Sequence, residues 1–213
     1  MLDRFGDTHK AALLLAGLVV HNLVYPLSGA GGIWPAAFYA FFASLFVTAV
    51  FGMTRSRWAR ASIAATGLAV LAAGLANSYA PGSLTPAALF VSVIAYHAVA
   101  IAVLARYVFQ AEQVFTEVVL AATSLYLVIG SVFTAIFGLI EWLAPGSFAS
   151  ASGAGVEWQE FLYFSYVTLT SLGYGDILPV GYYAQAFAAF EAVVGVLYTV
   201  VLLSRLVSMY QTR

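Results

Sequence analysis

The sequence has no cysteine, only three histidines, and a charged content of just 8% over 213 residues. Without cysteine, neither a disulfide framework nor a thiolate metal site can form. His9, His21 and His97 show no HExxH or other paired spacing, which leaves little for a metalloenzyme. A soluble domain carries about 25% charged and roughly 45–50% apolar residues. Here 63% are hydrophobic, more than a soluble fold can hide, so lipid must be the solvent for most of the chain. A net charge of −1 argues against a nucleic-acid partner. The class is therefore an all-α integral membrane protein.

A spanning helix needs about 20 mostly apolar residues. Six stretches qualify, at 10–27, 33–52, 59–77, 86–107, 117–143 and 183–207. Breakers separate them: Pro26 with Ser28 to Gly32, then 52–57, then 77–86 with Pro81 and Gly82. Between the fifth and sixth spans, 144–155 is small, polar and loop-like. Residues 157–172 are apolar and aromatic, yet too short to cross and return unaided. Such a piece is tolerated at membrane depth only where protein or a water-filled cavity surrounds its backbone, so a re-entrant segment is expected.

The eight basic residues are Arg4, Lys10, Arg55, Arg57, Arg60, Arg106, Arg205 and Arg213. With six spans and cytoplasmic termini, all fall on the cytoplasmic side, as the positive-inside bias requires. Glu141, Glu157, Glu160 and Asp176 gather at the outer side. The first span has a competing reading as a secretory signal, because Arg4 and Lys10 precede an apolar run that ends near Ser28-Gly29-Ala30; His21 and Asn22 interrupt that run.

The run from Phe161 to Asp176 reads FLYFSYVTLTSLGYGD, and it resembles the pore helix and selectivity filter of potassium channels. A dehydrated potassium ion needs replacement oxygens, and stacked backbone carbonyls supply them. Carbonyls that point inward at successive residues require conformations that glycine takes cheaply, here at Gly173 and Gly175. The resemblance implies carbonyl ligands at Ser171, Leu172, Gly173 and Tyr174, closed by Gly175, with the Ser171 hydroxyl at the innermost site. Family members usually have Thr and Val where this chain has Ser171 and Leu172. Tyr163 and Phe164 stand where members often have a Trp pair, so Tyr163 is expected to donate to Asp176. Val167 stands where some members carry a Glu that pairs with the aspartate. Thr168 is expected to bond the Tyr174 hydroxyl of a neighbouring copy, and Thr170 completes the support.

Gly195 lies 19 residues after Asp176, the spacing at which the family often places a gating hinge; packing of a small residue is the other reading. A mid-helix glycine costs about 1 kcal/mol relative to alanine. Helical spacing from it gives Thr199, Leu203 and Val207 as an expected inner-pore stripe. Glu191, one turn earlier, is a carboxylate at membrane depth, where charge is expensive. It is expected either to sit behind the pore helix, protonated or hydrogen-bonded, or to lend negative potential to the cavity.

Six spans with a pore between the last two is also the plan of voltage-gated channels, whose fourth span carries repeated arginines. This fourth span has only Arg106, at its end, so steep voltage gating is not expected. His21, Asn22 and His97 are polar groups at membrane depth, expected to bond between helices or to sense protons. Few residues follow Val207, so control by a cytoplasmic domain in this chain is not expected. The resulting expectation is a four-span region of unknown role at 1–110 and a pore domain at 111–213. Four copies form a homotetramer in the plasma (inner) membrane, passing potassium ions with no cofactor and no enzymatic activity. The alternatives are a weakly selective cation channel and a non-conducting regulatory or scaffold subunit.

Overall fold

A computed structural model describes residues 2–111, 113, 115–153 and 155–211; Arg213, used above for topology, lies outside the described residues. Seven α-helices and two short strands follow one another: α1 (Leu2–Val24), α2 (Trp34–Met53), α3 (Arg57–Tyr79), α4 (Thr85–Phe109), α5 (Thr116–Leu143), β1 (Phe148–Ser150), α6 (Glu160–Leu169), β2 (Ile177–Pro179) and α7 (Tyr182–Gln211). All of these helices except α6 are long and apolar enough to cross a membrane, which makes six candidate spans among the described residues.

The helix ends follow local chemistry. Pro26 lacks an amide hydrogen and cannot continue α1, so the chain tightens into a 3-10 turn over Tyr25–Gly29. Pro35 and Pro86 occupy the first turns of α2 and α4, where a missing N–H costs nothing. Ser56 caps α3, its Oγ accepting from the Ala59 amide at 3.3 Å.

The long helices pack in sequence order, α2 on α3, α3 on α4 and α4 on α5, and α1 closes the group by lying against both α2 and α5. One hydrophobic core runs through them, from Leu14 and Leu18 of α1 through Phe46, Ile63, Tyr96 and Leu104 to Leu125 and Val128 of α5. The first four helices therefore share a core with the first half of α5. Tyr96 closes this core, donating from a fully buried position to the Ala43 carbonyl at 2.6 Å.

A second cluster is made largely of phenylalanine and surrounds α6: Phe133 and Phe137 of α5, Phe148 of β1, Phe161 and Phe164 of α6, and Ile177 of β2. Phe148 is its hub, with ring centroids 4.8 Å from Phe161, 5.4 Å from Phe164 and 5.5 Å from Phe137.

Strands were not expected between the last two spans. β1 and β2 form an antiparallel ribbon that pairs Phe148 with Pro179, Ala149 with Leu178 and Ser150 with Ile177. The ribbon ties the chain entering α6 to the chain leaving the SLGYGD turn. The Glu141 carboxylate fixes its approach, accepting from the Gly146 amide at 2.7 Å and the Phe148 amide at 3.1 Å.

The candidate pore loop

α6 begins where Glu160 Oε2 reaches back to accept from the Glu157 amide at 2.7 Å, a charge favoured at a helix N-terminus. It ends at Leu169, and the chain at once folds back on it. The Thr170 amide reaches Tyr166 O at 3.1 Å, the Ser171 amide reaches Thr168 O at 2.9 Å, and the Leu172 and Gly173 amides reach Val167 O at 2.9 and 3.3 Å. The Thr170 hydroxyl donates to Tyr166 O at 2.6 Å. The last turn of α6 thus anchors the start of the SLGYG segment through backbone carbonyls. Val167 contributes by its carbonyl, while its side chain is buried.

From there the backbone alternates. φ is +57° at Ser171, +57° at Gly173 and +78° at Gly175, with no positive value at Leu172 or Tyr174. Glycine tolerates this; serine is the only non-glycine in the left-handed region among the described residues, at a cost of roughly 1–2 kcal/mol. An extended strand turns successive carbonyls to opposite sides, whereas alternation of hand can bring them to one side. The segment belongs to neither core, and Leu172 and Tyr174 are 56% and 65% exposed on a single chain.

Behind it, Tyr163 Oη donates to Asp176 Oδ2 at 2.7 Å, and the Tyr163 ring stacks on Tyr174 with centroids 6.3 Å apart and 11° between planes. That bond to Asp176, more than desolvation, pushes the Tyr163 phenol up to about 12, so it stays a donor at any physiological pH. The Asp176 Oδ1 accepts from the Ile177 amide at 3.1 Å, and its carbonyl accepts from the Ala151 amide at 2.7 Å. Phe164 is buried in the phenylalanine cluster.

α7 lies against α6 at two points one turn apart. Glu191, 0% exposed, meets the equally buried Ser165, with Oε1 2.5 Å from Ser165 Oγ. Gly195 abuts the last residue of α6; a Cβ there would run into the backbone carbonyl of Leu169. Of the other α7 residues singled out by spacing, Thr199, Leu203 and Val207 are exposed on this chain. Nearest the foot of the SLGYG segment, however, the surface beside Ser171 is lined by Ala192, Val193, Val196 and Leu197.

Several positioning residues had no role assigned from sequence. Tyr166 is the chief one: its hydroxyl accepts from Asn22 Nδ2 of α1 at 2.6 Å and donates to Leu127 O of α5 at 2.9 Å. Its ring also fills the notch at Gly130, where a Cβ would come within 2.6 Å. Asn22 thus bonds between helices, whereas His97 Nδ1 bonds within α4 to Val93 O at 2.8 Å. Arg205 ties α7 to the end of α4 and the linker that follows, donating to the carbonyls of Phe109 at 2.5 Å and Ala111 at 2.6 Å. A polar side chain in an apolar helix was the signal for Asn22; nothing in the sequence marked its partner.

A sequence model described as "Ion channel" matches residues 88–212. It begins inside α4 and covers α5, the ribbon, α6, the SLGYGD segment and α7. No curated protein and no solved structure gives a match.

Proposed function

The chain belongs to the ion channel family, and from that premise we propose that it is a passive, potassium-selective channel. The observation that carries the proposal is the alternating backbone hand at Ser171, Gly173 and Gly175, in an SLGYG segment anchored by its own short helix. In this reading the carbonyls of Ser171, Leu172, Gly173 and Tyr174 replace the water around potassium, with the Ser171 hydroxyl at the inner end.

One chain supplies a single such segment, and an ion needs oxygens on all sides, so four copies meet about a common axis. The exposed apolar positions of α7, among them Phe190, Val193, Val196, Leu197, Val200 and Leu203, suit burial by neighbouring copies and the permeation path. Basic residues of α1, the α2–α3 loop, α4 and α7 share one end of the molecule: Lys10 lies against Gly52, Arg106 borders Thr54 and Ser56, and Arg205 caps the end of α4. That end is cytoplasmic in this reading, in a plasma (inner) membrane.

The deciding experiment is purified protein in planar bilayers with potassium on one side and sodium on the other. A reversal potential near the potassium equilibrium value is expected. A value near zero indicates the weakly selective cation channel, which the Ser171 and Leu172 departures would explain. Absence of current at all voltages and pH values indicates a non-conducting subunit.

A further inference from the structure

Ser165 has a single hydroxyl proton and two buried acceptors. Its Oγ is 2.6 Å from the Gly130 carbonyl of α5 and 2.5 Å from Glu191 Oε1 of α7. One O–H cannot donate at full strength to both, and two oxygens that close without a proton between them repel. The Gly130 carbonyl has no proton to give. A second proton must therefore come from the carboxyl.

The surroundings agree. Glu191 and Ser165 are both 0% exposed, and Glu191 Oε2 has no hydrogen-bond partner. A carboxylate with one oxygen unpartnered in an apolar interior carries a large desolvation penalty; a carboxylic acid leaves only a neutral carbonyl oxygen unpaired. The ionisable groups that face Glu191 are Tyr126 of α5 and Tyr166 of α6. Among the described residues no charged side chain acts on it, so nothing there balances a negative charge.

We propose that Glu191 is held as a neutral carboxylic acid that donates to Ser165 Oγ, while Ser165 donates to the Gly130 carbonyl. The chain of two bonds joins α7, α6 and α5 directly behind the SLGYG segment. It works with Gly195, one turn on, where α7 closes against the Leu169 carbonyl. Both helices use positions four apart, Ser165 and Leu169 on α6, Glu191 and Gly195 on α7, so the two contacts set the register of the short helix on the long one. Glu191 is a positioning residue: it touches no ion and acts through α6. The functional half of this inference rests on the channel reading; the protonation half does not.

The test uses the full chain in liposomes, with two readouts. Infrared difference spectra between wild type and E191Q report whether a protonated carboxyl is present at neutral pH, whether or not the protein conducts. Potassium flux is measured in the same preparations for wild type, E191A, E191Q and S165A. A carboxylic-acid carbonyl band lost in E191Q is expected, shifted to that of a less strongly bonded acid in S165A. E191A should lower flux about tenfold, as when a buried partner is left unpaired, and E191Q should restore it, because its amide donates as the acid does. Absence of the acid band, or a band unmoved by S165A, overturns the proposal. So does E191Q as impaired as E191A, since a negative charge would then be what matters. An acid band in a wild type that passes no potassium would instead overturn the channel reading and leave the protonation standing.

Discussion

The bond from Tyr163 to Asp176 is short and lies at the surface of a single chain, which makes it testable without disturbing either core. Tyr163→Phe keeps the ring that stacks on Tyr174 and removes only the donor. Faster loss of conduction during sustained opening, with a lower potassium-to-sodium permeability ratio, is expected in single-channel recordings. Unchanged inactivation and selectivity would mean that Asp176 is held well enough by the Ile177 amide and the ribbon. Gly195 can be tested in the same recordings. If its role is to let α7 close on the Leu169 carbonyl, Gly195→Ala must push the end of α6 outward and change the permeability ratio. If it is only a hinge, open probability shifts while that ratio stays. The spacing after Asp176 drew attention to this glycine, but the carbonyl it touches belongs to another element, and no sequence pattern names it.

Among elements, α1 meets α6 through a side-chain bond. Asn22 reaches the Tyr166 hydroxyl across the α5 surface, so the first helix holds the short helix of its own chain. Asn22→Ala removes one donor to that hydroxyl, which still donates to Leu127 O and lies 3.2 Å from Ser131 Oγ, so the loss is that of a single hydrogen bond, about 0.5–1.5 kcal/mol. A lower melting temperature and a less stable filter current are expected; a melting temperature equal to wild type would remove α1 from the support. At the other end, Arg205 grips two carbonyls with a planar fork and lies over the Phe109 ring, 5.6 Å from its centroid. Lysine cannot reproduce that geometry. Arg205→Lys is therefore expected to shift open probability while leaving permeability ratios alone, since the fork lies at the end of α7 remote from the SLGYG segment. A shifted permeability ratio would argue against a purely coupling role.

For the whole molecule, the exposed apolar face of α7 and the uncovered SLGYG segment are expected to be closed by other copies of the chain. Native mass spectrometry from detergent should give four chains. A stable monomer that retains flux would contradict the proposed pore. The fourth helix carries Arg106 near its end as its one arginine or lysine, and moving one elementary charge through a membrane potential is worth only about 2.3 kcal/mol per 100 mV. The conductance–voltage relation is accordingly expected to be shallow, and a steep sigmoid would point to gating charge elsewhere.

The six long helices, their order and their breaks were legible in the sequence because lipid demands apolar runs of a set length, and proline and glycine punctuate them whatever lies nearby. The SLGYGD segment was legible for a related reason: its glycines answer to a local backbone demand. What tertiary structure alone decided is how the pieces meet. The β1–β2 ribbon depends on two three-residue strands, too short for any alternation to register, that lie side by side although residues 151–176 separate them. The Asn22–Tyr166 bond and the chain from Glu191 through Ser165 to Gly130 each join residues far apart in sequence, and Ser171 takes a left-handed backbone that its residue type does not favour. A carboxylate in an apolar helix announces that it needs a partner; only the packing of α7 on α6 and α5 decides which oxygen it meets, and hence where its proton goes.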